Sequence, residues 1–200
     1  MARLGLLGGT FNPPHVGHLV CAQDAWAQLG LERVLLLPVH TPPHKEVEGD
    51  PGVEQRLALC EAAVSGDPRL GVSRAEAGVP GPSYTVDTLS RLHDAHPENE
   101  LTFIVGGDMA STLPEWREPE KILALATLGV AARQGVGREQ VLEHLDRELP
   151  GSAERIRFFD MPRIDVSSSL IRRRVAAGRP VRYLVPGAVA DHIEREGLYA

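Results

Sequence analysis

The chain has 200 residues, enough for one well-cored domain, and its 42% hydrophobic and 24% charged residues exclude disorder across its whole length. A formal net charge of -6 argues against broad, sequence-independent binding to nucleic acid and directs attention to a local basic pocket instead. Two cysteines, Cys21 and Cys60, rule out a disulfide framework; no signal-peptide pattern opens the sequence and no apolar run approaches the roughly 20 residues of a membrane span, so a cytoplasmic protein without a membrane partner is expected.

In chain order, the apolar run RLGLLG at 3–8 predicts a first strand, and LGGTFNPPHVGHL at 7–19 follows it. That stretch concentrates glycine, proline and histidine, which ordinary helices and strands avoid. An amphipathic helix then begins near Val16. RVLLLP at 33–38 is a second strand, and PVHTPPHKEVEGDPG at 38–52 is a loop long enough to suggest a functional role. A helix over 52–66, a short strand at 70–73, a helix over 83–96 and strands at 101–107 and 127–133 come next, then a helix over 137–149 and a strand at 155–160. The strands are nearly continuous in hydrophobicity, as strands buried on both faces are, and they alternate with helices. The expected fold class is therefore α/β: a Rossmann-like, doubly wound parallel sheet with helices on both faces. From about residue 162 only helices are predicted, so a single domain over 1–200 is expected, with a core over 1–160 and a small helical C-terminal subregion over 161–200.

A parallel sheet presents its ligands beyond the carboxyl ends of its strands, which is where LGGTFNPPHVGHL lies. Gly8 and Gly9 would allow a tight turn and close approach of a ligand to backbone N–H groups, while Thr10 and Asn12 can hydrogen-bond. The helix behind them directs its positive end at the loop, and His15 and His18, three residues apart, can meet one phosphate group. A metal site formed by these two with His40 or His44 finds no Cys or carboxylate ligand at a suitable spacing. In DVSSSLIRRR at 165–174, Ser167, Ser168 and Ser169 open a helix and Arg172 follows one turn on, a second anion site. Two such sites in an acidic chain point to a polyphosphate held between them.

These residues carry a resemblance. GGTFNPPHVGHL resembles the G-[TS]-F-[DN]-P-x-H-x-GH signature of the nucleotidyltransferase superfamily, and DVSSSLIRRR resembles its later ISST-x-IR element. PPHK at 42–45, PSYTVDTL at 82–89, FIVGGDM at 103–109, LPEWRE at 113–118 and YLVPGAVADHI at 183–193 are similar to the pattern of the bacterial nicotinate mononucleotide adenylyltransferases. Position 12 is Asn where that bacterial family more often has Asp, and Ser169 stands where Thr is usual.

The resemblance implies attack of the 5'-phosphate of nicotinate mononucleotide on the α-phosphorus of ATP, giving nicotinate adenine dinucleotide and pyrophosphate, with no protein nucleophile. His15, His18, Lys45 and Arg172 would be catalytic. Gly8, Gly9, Thr10, Phe11, Gly106, Asp108, Ser167 and Ser168 would bind ATP, Asp108 through a ribose hydroxyl. Tyr84, Thr85, Trp116, Arg117 and Arg133 would bind the mononucleotide, with Trp116 an exposed platform for the pyridine ring. Mg²⁺ would accompany ATP without a dedicated protein cage. Nicotinamide mononucleotide and phosphopantetheine are rival acceptors, and a non-catalytic nucleotide-binding domain is a rival from another class. The sequence leaves the oligomeric state, monomer or homo-oligomer, open.

Overall fold

A computed structural model describes residues 1–41, 49–79, 81–132 and 137–200. Six strands, β1 (Arg3–Gly9), β2 (Arg33–Pro38), β3 (Leu70–Val72), β4 (Glu100–Gly106), β5 (Ala126–Ala132) and β6 (Ile156–Asp160), form one sheet. Their order is β3-β2-β1-β4-β5-β6, and every pairing is parallel. Strand order therefore reverses between β1 and β4, which opens a crevice beyond their carboxyl ends.

Successive side chains of a strand point to opposite faces, and here both faces are covered. Leu6, Phe103 and Val105 pack on one side beneath α3 (Thr85–Ala95), α5 (Pro119–Leu125) and α6 (Arg138–Glu148). Leu7, Leu36 and Ile104 pack on the other beneath α1 (Val16–Leu29) and α2 (Val53–Val64). This two-sided burial is why the strands read as continuous apolar runs instead of alternating. Helix α1 stops at Gly30, whose φ of 65° supplies the left-handed turn that ends many helices.

A third cluster joins Leu59 and Ala63 of α2 to Ile171 of α7 (Ser168–Ala176) and Val189 and Ile193 of α8 (Gly187–Arg195). The helical subregion thus packs on α2 and leaves the first end of α7 facing the β1 crevice. Helix α7 starts at Ser168, where the serine run predicts a helix N-terminus, and Ser167 caps it by accepting from the Leu170 N–H at 3.2 Å; residues 161–167, around Pro162, are in neither helix nor strand. Two short helices lie where none was predicted: α4 (Gly107–Ala110) and α5, the latter opened by Pro119 at its first position. Both are too short for a helical period to stand out in sequence. Cys21 and Cys60 are buried in α1 and α2 with no disulfide, as their apolar surroundings suggest. Among the described residues no helix is long and apolar enough to cross a membrane.

Candidate active site

The loop after β1 is organised around an aromatic ring. Phe11 takes φ 50°, a left-handed conformation that bulky side chains avoid, and its ring is 1% exposed. Gly8 and Gly9, expected to form the turn, instead pair in register with Leu37 and Pro38 as the end of β1. Their lack of a side chain has a packing reason: a Cβ on Gly9 would sit 3.0 Å from the Phe11 ring, and one on Gly8 would sit 3.1 Å from Phe103. The turn itself is made by Thr10, Phe11 and Asn12, with a cis peptide between Asn12 and Pro13.

Phe11 supports the histidines. Its ring meets His18 edge-on with centroids 5.0 Å apart, and His18 stacks on His15 at 3.7 Å and 26°. His15 is the N-cap of α1, and its N–H donates to His18 Nδ1 at 3.1 Å. Gly17 leaves room for this stack, since a Cβ there would lie 3.1 Å from the His15 ring. Burial lowers the pKa of His15 from 6.5 to about 4. Burial, and then the neighbouring His15, lower that of His18 to about 3. Both rings are neutral at physiological pH. Because His18 Nδ1 accepts a hydrogen bond, its proton sits on Nε2. His15 Nδ1 is buried without a partner among the described residues, and an unpaired lone pair there costs less than an unpaired N–H, so its proton also belongs on Nε2. The pair is a set of uncharged donors.

This has a consequence for acid stability. In the unfolded chain both rings titrate near 6.5, so that state takes up protons first as pH falls. The stability attached to the pair is complete above pH 6.5, is lost progressively as pH falls from 6.5 toward about 3, and is constant below. Thermal melts between about pH 7 and pH 4.5 should show a smaller loss of Tm for the double variant H15N/H18N than for the unsubstituted protein. Parallel curves would mean that the pair does not titrate as its burial requires.

The second expected cluster reaches the same loop. Ser168 Oγ donates to the Pro13 carbonyl at 2.8 Å, and Arg172 donates through Nη1 to the Asn12 carbonyl at 2.8 Å and through Nη2 to Ser169 Oγ at 3.2 Å. The helix that carries Arg172 is therefore docked on the histidine loop from 155 to 160 residues away.

Across the crevice, Gly106 caps α4 and Asp108 is exposed in its first turn. Tyr84 is the residue before α3 and Thr85 its first residue; Arg117 lies over the Tyr84 ring at 5.1 Å and donates to Asp87 at 3.2 Å. Trp116 differs from expectation. It is half-buried instead of an open platform, because one edge packs on the core beside Phe103, at 6.1 Å and 84°, and its Nε1–H donates to Thr112 Oγ1 at 3.0 Å. Lys45, His44 and Arg133 lie outside the described residues. Among the described residues no three His, Cys, Asp or Glu side chains converge as a metal cage.

Sequence reasoning missed two buried ionisable side chains. Arg56 of α2 is 1% exposed and makes four hydrogen bonds: Nη1 to the Thr10 and Val39 carbonyls at 3.1 and 2.7 Å, Nη2 to the His40 carbonyl at 2.9 Å, and Nε to Asp50 at 3.0 Å. It ties the end of β2 to the loop after β1. An arginine within an apolar helical face, RLALC, was the available signal. Glu76 is 4% exposed and accepts from Thr88 Oγ1 at 2.9 Å, and burial raises its pKa. Ser83 beside it accepts from the His40 N–H at 3.1 Å, so this network anchors the segment leading to Tyr84. Nothing in the spacing of the sequence announces it.

A parallel sheet reversing at β1 and β4, with a neutral histidine pair and a docked arginine beyond β1, defines a nucleotide-handling α/β protein, and a family model agrees: the chain belongs to the cytidylyltransferase-like family, whose model matches residues 6–174. A protein of Thermomicrobium roseum named "Probable nicotinate-nucleotide adenylyltransferase" is 43% identical over 199 residues, covering 100% of this chain and 92% of that protein. One of a Roseiflexus species with the same name is 43% identical over 198 residues, covering 99% and 98%. Within the larger family the chain groups with these nicotinate-nucleotide adenylyltransferases over its full length. Two solved structures of the Plasmodium falciparum nicotinic acid mononucleotide adenylyltransferase, complexed with APC and with NaAD, share the fold at TM-scores of 0.78 and 0.79 and 15% and 16% identity. Each is covered to 98% by all of this chain.

Proposed function

We propose that the chain transfers the adenylyl group of ATP to nicotinate mononucleotide, forming nicotinate adenine dinucleotide and releasing pyrophosphate. The reading is carried by the full-length 43% identity to nicotinate-nucleotide adenylyltransferases, and the geometry beyond β1 supplies chemistry that fits it.

The acceptor phosphate is already ionised near neutral pH, so the reaction needs no protein base. Its oxygen attacks the α-phosphorus of ATP, the bond to the β-phosphate oxygen breaks, and pyrophosphate leaves. Catalysis then rests on alignment and on donors aimed at the charge that develops. In this reading the Nε2–H groups of His15 and His18 donate to the α-phosphate and the bridging oxygen, already desolvated and needing no reorganisation. Backbone groups of Gly8, Gly9, Thr10 and Phe11 line the approach. Because the histidines are neutral, the positive charge opposite the β- and γ-phosphates comes from Arg172, with Lys45 as a further point charge and Ser167 and Ser168 at the α7 start. ATP would enter as its Mg²⁺ complex, and the ion would offset phosphate charge without a dedicated protein cage. Gly106 and Asp108 hold the ribose. Tyr84 and Thr85 receive the nicotinate carboxylate, Trp116 offers its open edge and face to the pyridine ring, and Arg117 and Arg133 face the mononucleotide.

Purified protein incubated with ATP and Mg²⁺ should release pyrophosphate with nicotinate mononucleotide at a higher kcat/KM than with nicotinamide mononucleotide or phosphopantetheine. Release with one of the latter and none with nicotinate mononucleotide would overturn the acceptor assignment.

A further inference from the structure

One contact at the β1 loop comes from the far end of the chain. The Tyr199 hydroxyl donates to Asn12 Oδ1 at 2.6 Å, across 187 residues. Tyr199 adopts φ 66°, a left-handed conformation that a tyrosine takes only under constraint, and it packs with the α2–α7–α8 cluster. Burial raises its pKa, so the hydroxyl keeps its proton and remains a donor. Its acceptor is equally fixed: Asn12 is 1% exposed.

Asn12 uses both polar atoms of its side chain and its backbone carbonyl. Its Oδ1 accepts from Tyr199, its Nδ2 donates to the Gly49 carbonyl at 3.4 Å, and its backbone carbonyl accepts from Arg172 Nη1 at 2.8 Å. A side-chain amide can rotate and exchange its oxygen with its nitrogen; a strong donor at one end removes that freedom. With Oδ1 pinned by Tyr199, Nδ2 must face Gly49, and the residue whose carbonyl orients Arg172 is held at both ends.

We propose that Tyr199 is a positioning residue for the triphosphate side of the site, acting through Asn12 on the orientation of Arg172 and on Gly49. Tyr199 touches no substrate, and its effect is confined to the ATP side because it packs in the α2–α7–α8 cluster, whereas Tyr84 and Trp116 pack against the separate cluster beneath α3, α5 and α6. The proposal rests on the adenylyl-transfer reading for its kinetic form, but its binding form needs only that ATP occupies the β1 loop.

The test uses the full chain with Tyr199→Phe, Asn12→Ala, the double variant, and Tyr183→Phe as a control, Tyr183 being 90% exposed. ATP affinity is measured by calorimetry without acceptor, and KM for each substrate, kcat and Tm are measured alongside. Loss of one buried hydrogen bond corresponds to about a five-fold change, so Tyr199→Phe should raise the Kd and KM for ATP by about that factor while KM for nicotinate mononucleotide stays within about 1.5-fold. In the double variant the effect should not exceed that of Asn12→Ala, as it must if one residue acts through the other. Equal shifts in both KM values, a lower Tm with unchanged ATP affinity, or effects of Tyr199→Phe and Asn12→Ala that multiply would each overturn the proposal. Should the unsubstituted protein bind ATP yet release no pyrophosphate with any acceptor, the adenylyl-transfer reading fails and the calorimetric comparison still decides the role of Tyr199.

Discussion

Replacing His18 by alanine should lower kcat for pyrophosphate release by roughly 10²-fold or more, the usual loss when one prepaid donor to a developing charge is removed. The expectation follows from how the ring is held. His18 is clamped by the Phe11 edge, by the face of His15 and by the hydrogen bond from the His15 N–H, so its Nε2–H is aimed before any ligand arrives. Its pKa of about 3 means that the donor is an uncharged imidazole, and no change of protonation accompanies the pH range in which the acceptor phosphate becomes a dianion. The cost in folding should be modest, since alanine removes only the side-chain half of a helix cap, about 1 kcal/mol. Turnover measured at saturating substrates, with Tm as a check on folding, separates the two effects. Near-normal kcat would remove His18 from the reaction.

Arg56→Met should have the largest effect on stability, about 3 kcal/mol or more in a denaturant titration. The methionine fills much of the space but leaves the Thr10, Val39 and His40 carbonyls without their donor, each worth roughly 1 to 3 kcal/mol if it stays dry. Asp50, at 27% side-chain exposure, can turn partly to water, so the burden falls on the carbonyls more than on the ion pair. Arg56→Lys should recover only part of the loss, because one ammonium cannot reach four acceptors arranged around a planar fork. A Met variant within about 1 kcal/mol of the unsubstituted protein would show that the β1 loop and the end of β2 are held together by other contacts.

The sheet was legible because burial on both faces leaves an unmistakable run of apolar residues; all six strands fall within a residue or two of RLGLLG, RVLLLP and their successors. The helices α4 and α5 were not, since four and seven residues are too few to display a helical period, and their formation follows from tertiary packing, of α4 against β4 and β5 and of α5 against α3 and β5. Within the site, the local motif announced His15, His18 and Arg172, but it misassigned the reason for its glycines. Gly9 is small to admit the Phe11 ring, and the left-handed residue of the turn is Phe11 itself. Trp116 illustrates the other limit: its polar neighbours in sequence suggested full exposure, while Phe103, thirteen residues earlier, gives it a partner that only the fold brings near. Arg56 stood out only as a charge within the apolar face RLALC, and the partners of Arg56 and Glu76, mostly carbonyls and hydroxyls from distant segments, follow no spacing rule.

The docking of the C-terminal subregion on the first loop bears on how the molecule comes into being. Ser168 on Pro13, Arg172 on Asn12, the Val16 N–H on the Leu184 carbonyl at 3.1 Å and Tyr199 on Asn12 span sequence separations of 155 to 187 residues. Contacts that distant carry the greatest loop-closure entropy and form late. A folding chain can pair β1 with β2 early, yet its phosphate cradle is incomplete until residues 168–199 have docked on the β1 loop.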